Sequence, residues 1–349
     1  MNINKPNTYS IIFDYIRVFA MLGVLAVHLS QQFPVPSLLK SVLGMGAFCV
    51  QVFFVISAYL ACSYFYKPEA STVGYYKKRA IRILPTYYAA ITAAIIYVTI
   101  FTNGYPEDTY GLGWLRYFLA LNTVLPSDSF WHWNNAYGFW TMTDFIFFYA
   151  IMPFVIRVVH SFYRSVIFFF ICYAAALCTY KTHILLPENI CSEQNLLITW
   201  SPIGQMQHFA LGIMTFFAAK MQKKSPAYIL LILLAALPGP FCSIPLRFTI
   251  LTCLFILYVK SSDILIHGAK LKWLKFVSKY SFHIYLTHLL ALTIGQQAAS
   301  IICVPSTFTF YALKLIVAVI ATILLCLFLE ISQRTADRCF LHRKSNSAV

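Results

Sequence analysis

Long apolar runs alternate with short polar segments along almost the whole chain. Most of these runs are about 20 residues long, the length at which a helix crosses a hydrocarbon core of about 30 Å. Inside that core only helices and closed barrels can satisfy their own backbone hydrogen bonds. The runs lack the alternating segments of about 10 residues that a membrane barrel requires. The pattern therefore predicts an all-α polytopic membrane protein.

The apolar runs predict about ten transmembrane helices. They lie at residues 11–30, 42–65, 83–101, 139–158, 163–180, 200–219, 227–241, 245–260, 276–300 and 308–331. The first run carries charged residues and lacks a small-x-small cleavage site, so it is predicted to be a span and not a signal peptide. Residues 1–349 are expected to form a single integral-membrane domain that ends in a short basic tail at 339–349.

Composition and charge agree with this prediction and set the orientation. Hydrophobic residues make up 60% of the chain and charged residues 11%, whereas soluble domains carry about 25% charged residues. Most of the 26 Lys and Arg residues fall on the side of the membrane that holds the N-terminus. The positive-inside rule therefore predicts cytoplasmic N- and C-termini. This asymmetry explains the net charge of +15, so nucleic acid is not expected as a partner.

Three ionisable side chains lie within the first run: Asp14, Arg17 and His28. Because charge is costly in hydrocarbon, each is a candidate functional residue. Asp14 and Arg17 are three residues apart, close enough on a helix to pair. Arg17 and His28 are separated by about 16 Å of helical rise and lie within about 20° of the same face. A packing role for His28 is the alternative.

The third run begins with a cytoplasmic basic cluster that contains Lys78, Arg79 and Arg82. Two guanidinium groups three residues apart on a helical turn form a fork that suits phosphate oxygens. Such clusters also anchor a chain by the positive-inside rule, and both interpretations stay open.

The segment between the third and fourth runs, about residues 102–138, is rich in aromatic side chains. Trp and Tyr favour the headgroup layer, so residues 114–125 are expected to form an interfacial helix. An aromatic belt and a glycan-stacking surface are equally good interpretations of this segment.

Asp144 lies about one turn inside the fourth run, in the outer half of the membrane that also holds His28. A carboxylate at this depth is a candidate to orient an imidazole. The alternative is a helix cap formed together with Thr141 and Thr143, because Asp is favoured near a helix N-terminus.

The ninth run carries His288 near mid-depth, one turn after Tyr285. Glu330 lies near the cytoplasmic end of the last run, where an i, i+4 pair with Arg334 is its structural alternative. The ten cysteines show no C-x-x-C or metal-ligand spacing, so no metal is expected.

Five stretches match, in order and at suitable spacing, the motifs of one known family. They are Asp14 and Arg17 through His28 (Arg-x10-His), Phe53–Leu60 with Ser57 (FFVLSGFL), Arg79–Arg82 (Arg-x-x-Arg), Trp140–Pro153 (WSLSxE…FY…P) and Ser278–His288 (SYxxYLxH). Over about residues 9–338 the chain thus resembles the membrane-bound acyltransferase-3 family, the O-acetyltransferases of bacterial surface glycans. Asp144 stands where the family has Glu and Ala58 where it has Gly. No C-terminal SGNH-type domain is expected.

The resemblance implies transfer of an acyl group, most often acetyl, from cytosolic acyl-CoA to a hydroxyl of a cell-surface or lipid-linked glycan. It implies a multi-pass protein of the bacterial inner membrane that uses acetyl-CoA or another acyl-CoA as co-substrate. The implied roles are catalytic for His28, Asp144 and His288, donor-binding for Arg17, Lys78, Arg79 and Arg82, and structural or orienting for Asp14, Ser57, Tyr285 and Glu330.

A transporter or flippase of a glycan or lipid-linked substrate is the competing class. It too explains many spans with charges inside them. Against it stand the cytosolic Arg-x-x-Arg fork and the absence of repeat pairs with Gly- or Pro-broken spans. The acyl group, the acceptor hydroxyl, the choice between direct transfer and an acyl-enzyme, and a homo-oligomeric state stay open.

Overall fold

The computed structural model describes residues 8–101, 115–123, 138–185, 199–261 and 272–345, and in these ranges the chain forms helices and turns without a strand. The predicted all-α class is therefore confirmed. The helices are α1 (Thr8–Gln32), α2 (Ser37–Gly44), α3 (Cys49–Phe65), α4 (Thr72–Phe101), α5 (Leu115–Phe118), α6 (Trp140–Val158), α7 (Phe162–Leu185), α8 (Pro202–Lys220), α9 (Ser225–Ala236), α10 (Ile244–Ser261), α11 (Lys272–Ile302) and α12 (Phe308–Ser345). A 3₁₀ turn, Met45–Phe48, joins α2 to α3.

Seven helical segments among the described residues are long and apolar enough to cross a membrane, so the chain is a multi-pass membrane protein. They are Ile11–Gln32, Ser37–Phe65, Thr72–Phe101, Trp140–Val158, Phe162–Thr179, Ile244–Ser261 and Phe308–Cys339. The other three predicted spans correspond to α8, α9 and α11. Helix α9 has 12 residues, which is about 18 Å of helix.

The chain divides into two compact units. The first comprises the described residues of Met1–Ala70, Phe147–Cys191 and Ile198–Ser281, and the second those of Ser71–Ile146 and Phe282–Val349. Helices α6 and α11 contribute residues to both.

An aromatic stack and a small-residue contact form the core of the first unit. Phe209 of α8 stacks on Phe54 of α3 at 4.6 Å between ring centroids and on Phe148 of α6 at 4.0 Å. One turn further along α8, a Cβ added to Gly212 would lie 2.3 Å from the carbonyl oxygen of Val55 and 2.8 Å from the Cβ of Ala58. The backbones of α3 and α8 therefore approach closely, as small residues permit between membrane helices.

Helix α1 meets the 3₁₀ turn at a second close approach. A Cβ added to Gly46 would lie 1.9 Å from the carbonyl oxygen of Gly23, and one added to Gly23 would lie 2.4 Å from Cys49 Sγ. Only glycine fits at Gly46. Because Gly23 lies between Arg17 and His28 on α1, this contact fixes the middle of the helix that carries both.

In the second unit, the segment around α5 is held inside the protein. Tyr87 of α4 donates its hydroxyl to the carbonyl of Tyr117 at 2.7 Å, and Asn122 Nδ2 donates to the carbonyl of Phe139 at 2.9 Å. Arg116 and Asn122 are buried. Only one helical turn, Leu115–Phe118, occurs in the described part of the predicted interfacial helix. Trp131 and Trp133 lie outside the described residues.

Candidate functional site

Asp14 is the centre of a polar cluster in the first unit. Its Oδ1 accepts hydrogen bonds from Arg17 Nη1 at 3.3 Å and from Ser278 Oγ of α11 at 2.6 Å. The predicted Asp14–Arg17 pair is therefore present in the structure. Apolar side chains on both sides of the cluster hold α1 against the first turns of α11, namely Ile11, Val18, Leu274 and Val277.

The cluster fixes the direction of the Arg17 guanidinium. The side chains of Arg17 and Asp14 are 22% and 16% exposed, so the pair lies partly shielded from solvent. Ser278 binds the same carboxylate oxygen as Arg17 and so holds Asp14 in place from the neighbouring helix. The sequence placed Ser278 at the start of the Ser278–His288 stretch and gave it no role, because the role of a neutral serine depends on the neighbouring helix.

His28 lies half-buried near the C-terminal end of α1. Its Nδ1 is 3.1 Å from Gln31 Oε1, one turn further along the helix. When Nδ1 donates to this amide oxygen, Nε2 holds the lone pair. An Nε2 lone pair is what a general base or a nucleophilic imidazole requires.

The basic cluster at the start of α4 faces outward from the second unit. Lys78 and Arg82 are exposed, and Arg79 is half-buried. The guanidinium carbon of Arg79 lies 5.4 Å from the centroid of the Tyr75 ring, one turn earlier, and Tyr75 is itself buried. A cation above an aromatic face is attracted to it. The ring therefore restrains the Arg79 side chain, whereas Arg82, one turn further along α4, is exposed.

Asp144 is fully buried at the start of α6. Neither of its carboxylate oxygens has a hydrogen-bond partner among the described residues. Asp144 therefore makes no capping hydrogen bond among the described residues. Thr141 Oγ1 bonds to the carbonyl of Gly138 at 3.1 Å. A buried carboxylate without partners is costly, and such groups concentrate at functional sites.

Tyr285 connects α11 to the start of α6 in the second unit. Its hydroxyl is 3.1 Å from Thr141 Oγ1 and 3.3 Å from the carbonyl oxygen of Gly138. Thr141 is one turn before Asp144, so Tyr285 lies beside the segment that holds the buried carboxylate. These hydrogen bonds fix the position of the Tyr285 hydroxyl, and its orienting role stays a prediction.

The hydrogen bond of His288 defines its tautomer. Nδ1 lies 2.7 Å from the carbonyl oxygen of Tyr285, and a carbonyl only accepts. Nδ1 therefore carries a proton, and in the neutral ring the lone pair is on Nε2. His288 is 3% exposed. The structure thus presents a buried ring nitrogen with its lone pair three residues from Tyr285.

Glu330 is paired on the part of α12 that the sequence predicts to be cytoplasmic. Its Oε1 accepts from Arg334 Nε at 2.9 Å, which confirms the predicted i, i+4 pair. Its Oε2 lies 3.8 Å from His283 Nε2 of α11. Glu330 therefore joins α11 to α12 inside the second unit.

Buried polar side chains that the sequence did not single out lie in the first unit. Gln51 Nε2 of α3 donates to Gln205 Oε1 of α8 at 3.3 Å, and His208 Nδ1 is 3.1 Å from Thr249 Oγ1 of α10. These neutral groups cross-link three helices. Ser57, on α3, is half-buried.

Each unit holds part of the predicted set. The first contains Asp14, Arg17, His28 and Ser57, and the second contains Lys78, Arg79, Arg82, Asp144, Tyr285, His288 and Glu330. Within the first unit Asp14 and Arg17 are in contact, and within the second Tyr285 is in contact with His288. The rings of Tyr285 and His288 are 5.9 Å apart between centroids.

Comparison with known proteins identifies one family. The family model described as an acyltransferase domain matches residues 11–330, which spans every candidate residue from Asp14 to Glu330. No curated protein and no solved structure matches the chain. With the polytopic helical fold and the motif residues in place, the chain belongs to the acyltransferase-3 family and transfers acyl groups.

Proposed function

We propose that this acyltransferase moves an acyl group, most often acetyl, from cytosolic acyl-CoA to a hydroxyl of a cell-surface or lipid-linked glycan. The membrane is the bacterial inner membrane. The observation that carries the proposal is the pair of arginines on consecutive turns of α4, one restrained by Tyr75 and one exposed. A guanidinium fork of this kind suits a donor that carries several phosphates.

The donor site is proposed at the start of α4. Arg79 and Arg82 bind the phosphates of coenzyme A, and Lys78 adds to the positive potential that attracts the anion. This end of α4 is the cytoplasmic end by the positive-inside rule, where acyl-CoA is available.

Transfer requires a hydroxyl oxygen of the acceptor to attack the thioester carbonyl carbon. The new C–O bond forms, the C–S bond breaks, and coenzyme A leaves as its thiolate. The hydroxyl proton moves to a base and then to the thiolate, so the products are the ester and coenzyme A. His28 is proposed as that base through its Nε2. Alternatively, the same nitrogen first takes the acyl group and then passes it to the acceptor.

Arg17 is proposed to hold the pantetheine or thioester of the donor. Its hydrogen bond to Asp14, which Ser278 supports from α11, limits the positions of the guanidinium. A guanidinium held beside the thioester oxygen donates hydrogen bonds to it and stabilises the negative charge that develops there during attack. Asp14 therefore acts through Arg17.

The residues of the second unit are proposed to handle protons and to position helices. Asp144 and His288 are the candidates for orientation or proton relay, since one is a buried carboxylate and the other a buried imidazole with its lone pair on Nε2. Tyr285 supports them through its hydrogen bond to Thr141 of α6. Glu330 supports them through its carboxylate, which lies 3.8 Å from His283 of α11. Ser57 is proposed to have a structural role.

The test uses purified protein in nanodiscs, with calorimetric titration of acetyl-CoA and release of free coenzyme A as a second readout. The wild type should bind acetyl-CoA with saturation, and Arg79→Ala/Arg82→Ala should weaken binding by at least tenfold, because each charged hydrogen bond contributes about 1.5–3 kcal/mol. His28→Ala should retain donor binding and lose transfer.

A matched control is Lys223→Ala/Lys224→Ala, which removes two cations that the sequence also places on the cytoplasmic side, in the first unit. This variant should bind acetyl-CoA like the wild type. If both double variants weakened acetyl-CoA binding equally, the two arginines would serve only to orient the chain in the membrane and not to bind the donor. A folded protein that binds neither acetyl-CoA nor succinyl-CoA would contradict the acyl-CoA donor, and retained transfer in His28→Ala would exclude His28 as the base.

A further inference from the structure

Helix α4 contains a proline just after the arginine fork. Pro85 lies three residues beyond Arg82 and has no backbone N–H. In a regular helix the N–H of residue 85 would donate to the carbonyl of residue 81, four residues earlier. The carbonyl of Ile81, which lies between Arg79 and Arg82, therefore lacks its partner within α4.

Gln333 of α12 supplies that partner. Its Nε2 donates to the carbonyl oxygen of Ile81 at 2.8 Å and to Asp337 Oδ1 at 3.1 Å. Its Oε1 accepts from Thr86 Oγ1 at 3.0 Å. The Ile81 carbonyl can only accept, so the amide orientation is fixed by its surroundings.

The preceding residue of α12 also bonds to the same stretch of α4. Ser332 Oγ donates to the carbonyl of Pro85 at 3.3 Å. Two consecutive side chains of α12 thus bind α4 on both sides of the proline. Such substitution of lost backbone bonds is how membrane helices tolerate proline.

We propose that Gln333 is a positioning residue for the donor-binding arginines. This inference rests on the proposed function, since it assigns Gln333 to the phosphate site at Arg79 and Arg82. By binding the carbonyl between the two arginines, Gln333 sets the pitch of the turn and hence the spacing of the guanidinium fork. Gln333 contacts no phosphate in this role and acts through the backbone of α4.

The test compares two donors in Gln333→Leu, a change that keeps the volume and removes the amide. Binding of acetyl-CoA should weaken about tenfold, because the two guanidinium groups lose the spacing that suits the phosphates. Turnover of acetyl-pantetheine, which has the thioester and lacks the phosphates, should stay within about twofold of the wild type, because the arginine fork does not bind it. Equal loss for both donors would overturn the positioning role and indicate a general loss of structure.

Gln297→Leu is the matched control. Gln297 of α11 also binds α4, accepting from Tyr97 and donating to the carbonyl of Phe101, at the opposite end of the helix from the fork. This variant removes the same amide from the same unit and should bind acetyl-CoA like the wild type. Weakening equal to that of Gln333→Leu would contradict the proposal.

A double-mutant cycle tests the link to Pro85. Pro85→Ala restores an N–H that bonds to the Ile81 carbonyl within α4. In that background Gln333→Leu should therefore weaken acetyl-CoA binding by less than about threefold. If Gln333→Leu still weakened acetyl-CoA binding tenfold in the Pro85→Ala background, Gln333 would not act by replacing the hydrogen bond that Pro85 removes.

Should Gln333→Leu fail to fold, Gln333→Glu serves in its place, because an ionised carboxylate cannot donate to the Ile81 carbonyl. If Arg79→Ala/Arg82→Ala binds acetyl-CoA normally, the proposed function fails. If the arginine variant binds weakly and the Gln333 variants bind normally, only the inference about Gln333 fails.

Discussion

The two carboxylates Asp14 and Asp144 both lie within helices but differ in their hydrogen-bond partners. Asp14 accepts two hydrogen bonds, one from a guanidinium, whereas both oxygens of Asp144 lack partners among the described residues. A paired carboxylate is a fixed support for its cation. A fully buried carboxylate without a partner is costly and persists where function requires it. We therefore expect an orienting role for Asp14 and a role in the reaction for Asp144.

His288 offers a test in which its two ring nitrogens are separated. We expect His288→Asn to keep the donor to the Tyr285 carbonyl that Nδ1 now provides, and to lose the lone pair of Nε2. If Nε2 relays a proton, transfer in this variant should fall about 100-fold with the thermal stability maintained. The measurement is the rate of coenzyme A release across a range of pH.

His288→Gln is the companion variant. Its amide reaches toward the position of Nε2 and cannot donate to the Tyr285 carbonyl as Nδ1 does. Full activity in His288→Asn together with low activity in His288→Gln would assign His288 to the hydrogen bond alone and remove it from the catalytic set.

The sequence revealed the side chains whose presence in a span is costly, and missed those whose role depends on a neighbouring helix. Arg17, His28 and Asp144 were found because an ionisable group in an apolar run requires an explanation. Ser278 and Gln333 are neutral side chains, and the sequence of their own helices gave neither of them a role. Their roles follow from the carboxylate and carbonyl opposite them, which only the packed structure provides.

At the scale of elements, the apolar runs located the helices but not their ends. The third run was predicted from residue 83, whereas α4 begins at Thr72, and the last was predicted to end at 331, whereas α12 continues to Ser345. Apolarity reports the part of a helix in hydrocarbon, and a helix that continues into water changes its composition without breaking. The basic turns that carry Arg79 and Arg82 belong to such an extension.

Glycine contacts between elements give the second prediction. Gly46→Ala should destabilise the protein by about 1–3 kcal/mol, because the new Cβ would lie 1.9 Å from the Gly23 carbonyl and α1 must move. The loss should appear as a lower thermal-unfolding midpoint in nanodiscs. Transfer should fall as well, since the contact lies between Arg17 and His28 on α1.

Gly44→Ala is the control, two residues away at the end of α2. Nothing lies within 4 Å of an added Cβ there, so its stability should change by less than about 1 kcal/mol. Similar melting of the two variants would mean that helix α1 tolerates displacement at this contact.

At the scale of the whole molecule, sequence and structure agree on a polytopic helical protein, and the ten-span prediction depends on a crossing by α9. Seven helical segments among the described residues meet the requirements of a span, and α9 is short for one at 12 residues. The positive-inside rule predicts that Lys223 and Lys224, before α9, are cytoplasmic. The chain after α9 turns sharply, with the N–H groups of Phe241 and Cys242 both 2.9 Å from the Pro238 carbonyl.

The ten-span topology therefore requires α9 to carry the chain across the membrane between two exposed positions, Gln222 and Gly239. We expect a reporter fused after Gln222 to be active only as a cytoplasmic enzyme, and one fused after Gly239 only as an exported enzyme. Twelve residues span about 18 Å, so this crossing requires local thinning of the bilayer or exposure of the helix ends near the headgroups. Fusions that report the same side at both positions would show that α9 does not cross. Both termini can then be cytoplasmic only if the number of crossings stays even, so α8 or α11 would also have to remain on one side. A fusion at Ser345 would test this by reporting the side of the C-terminus.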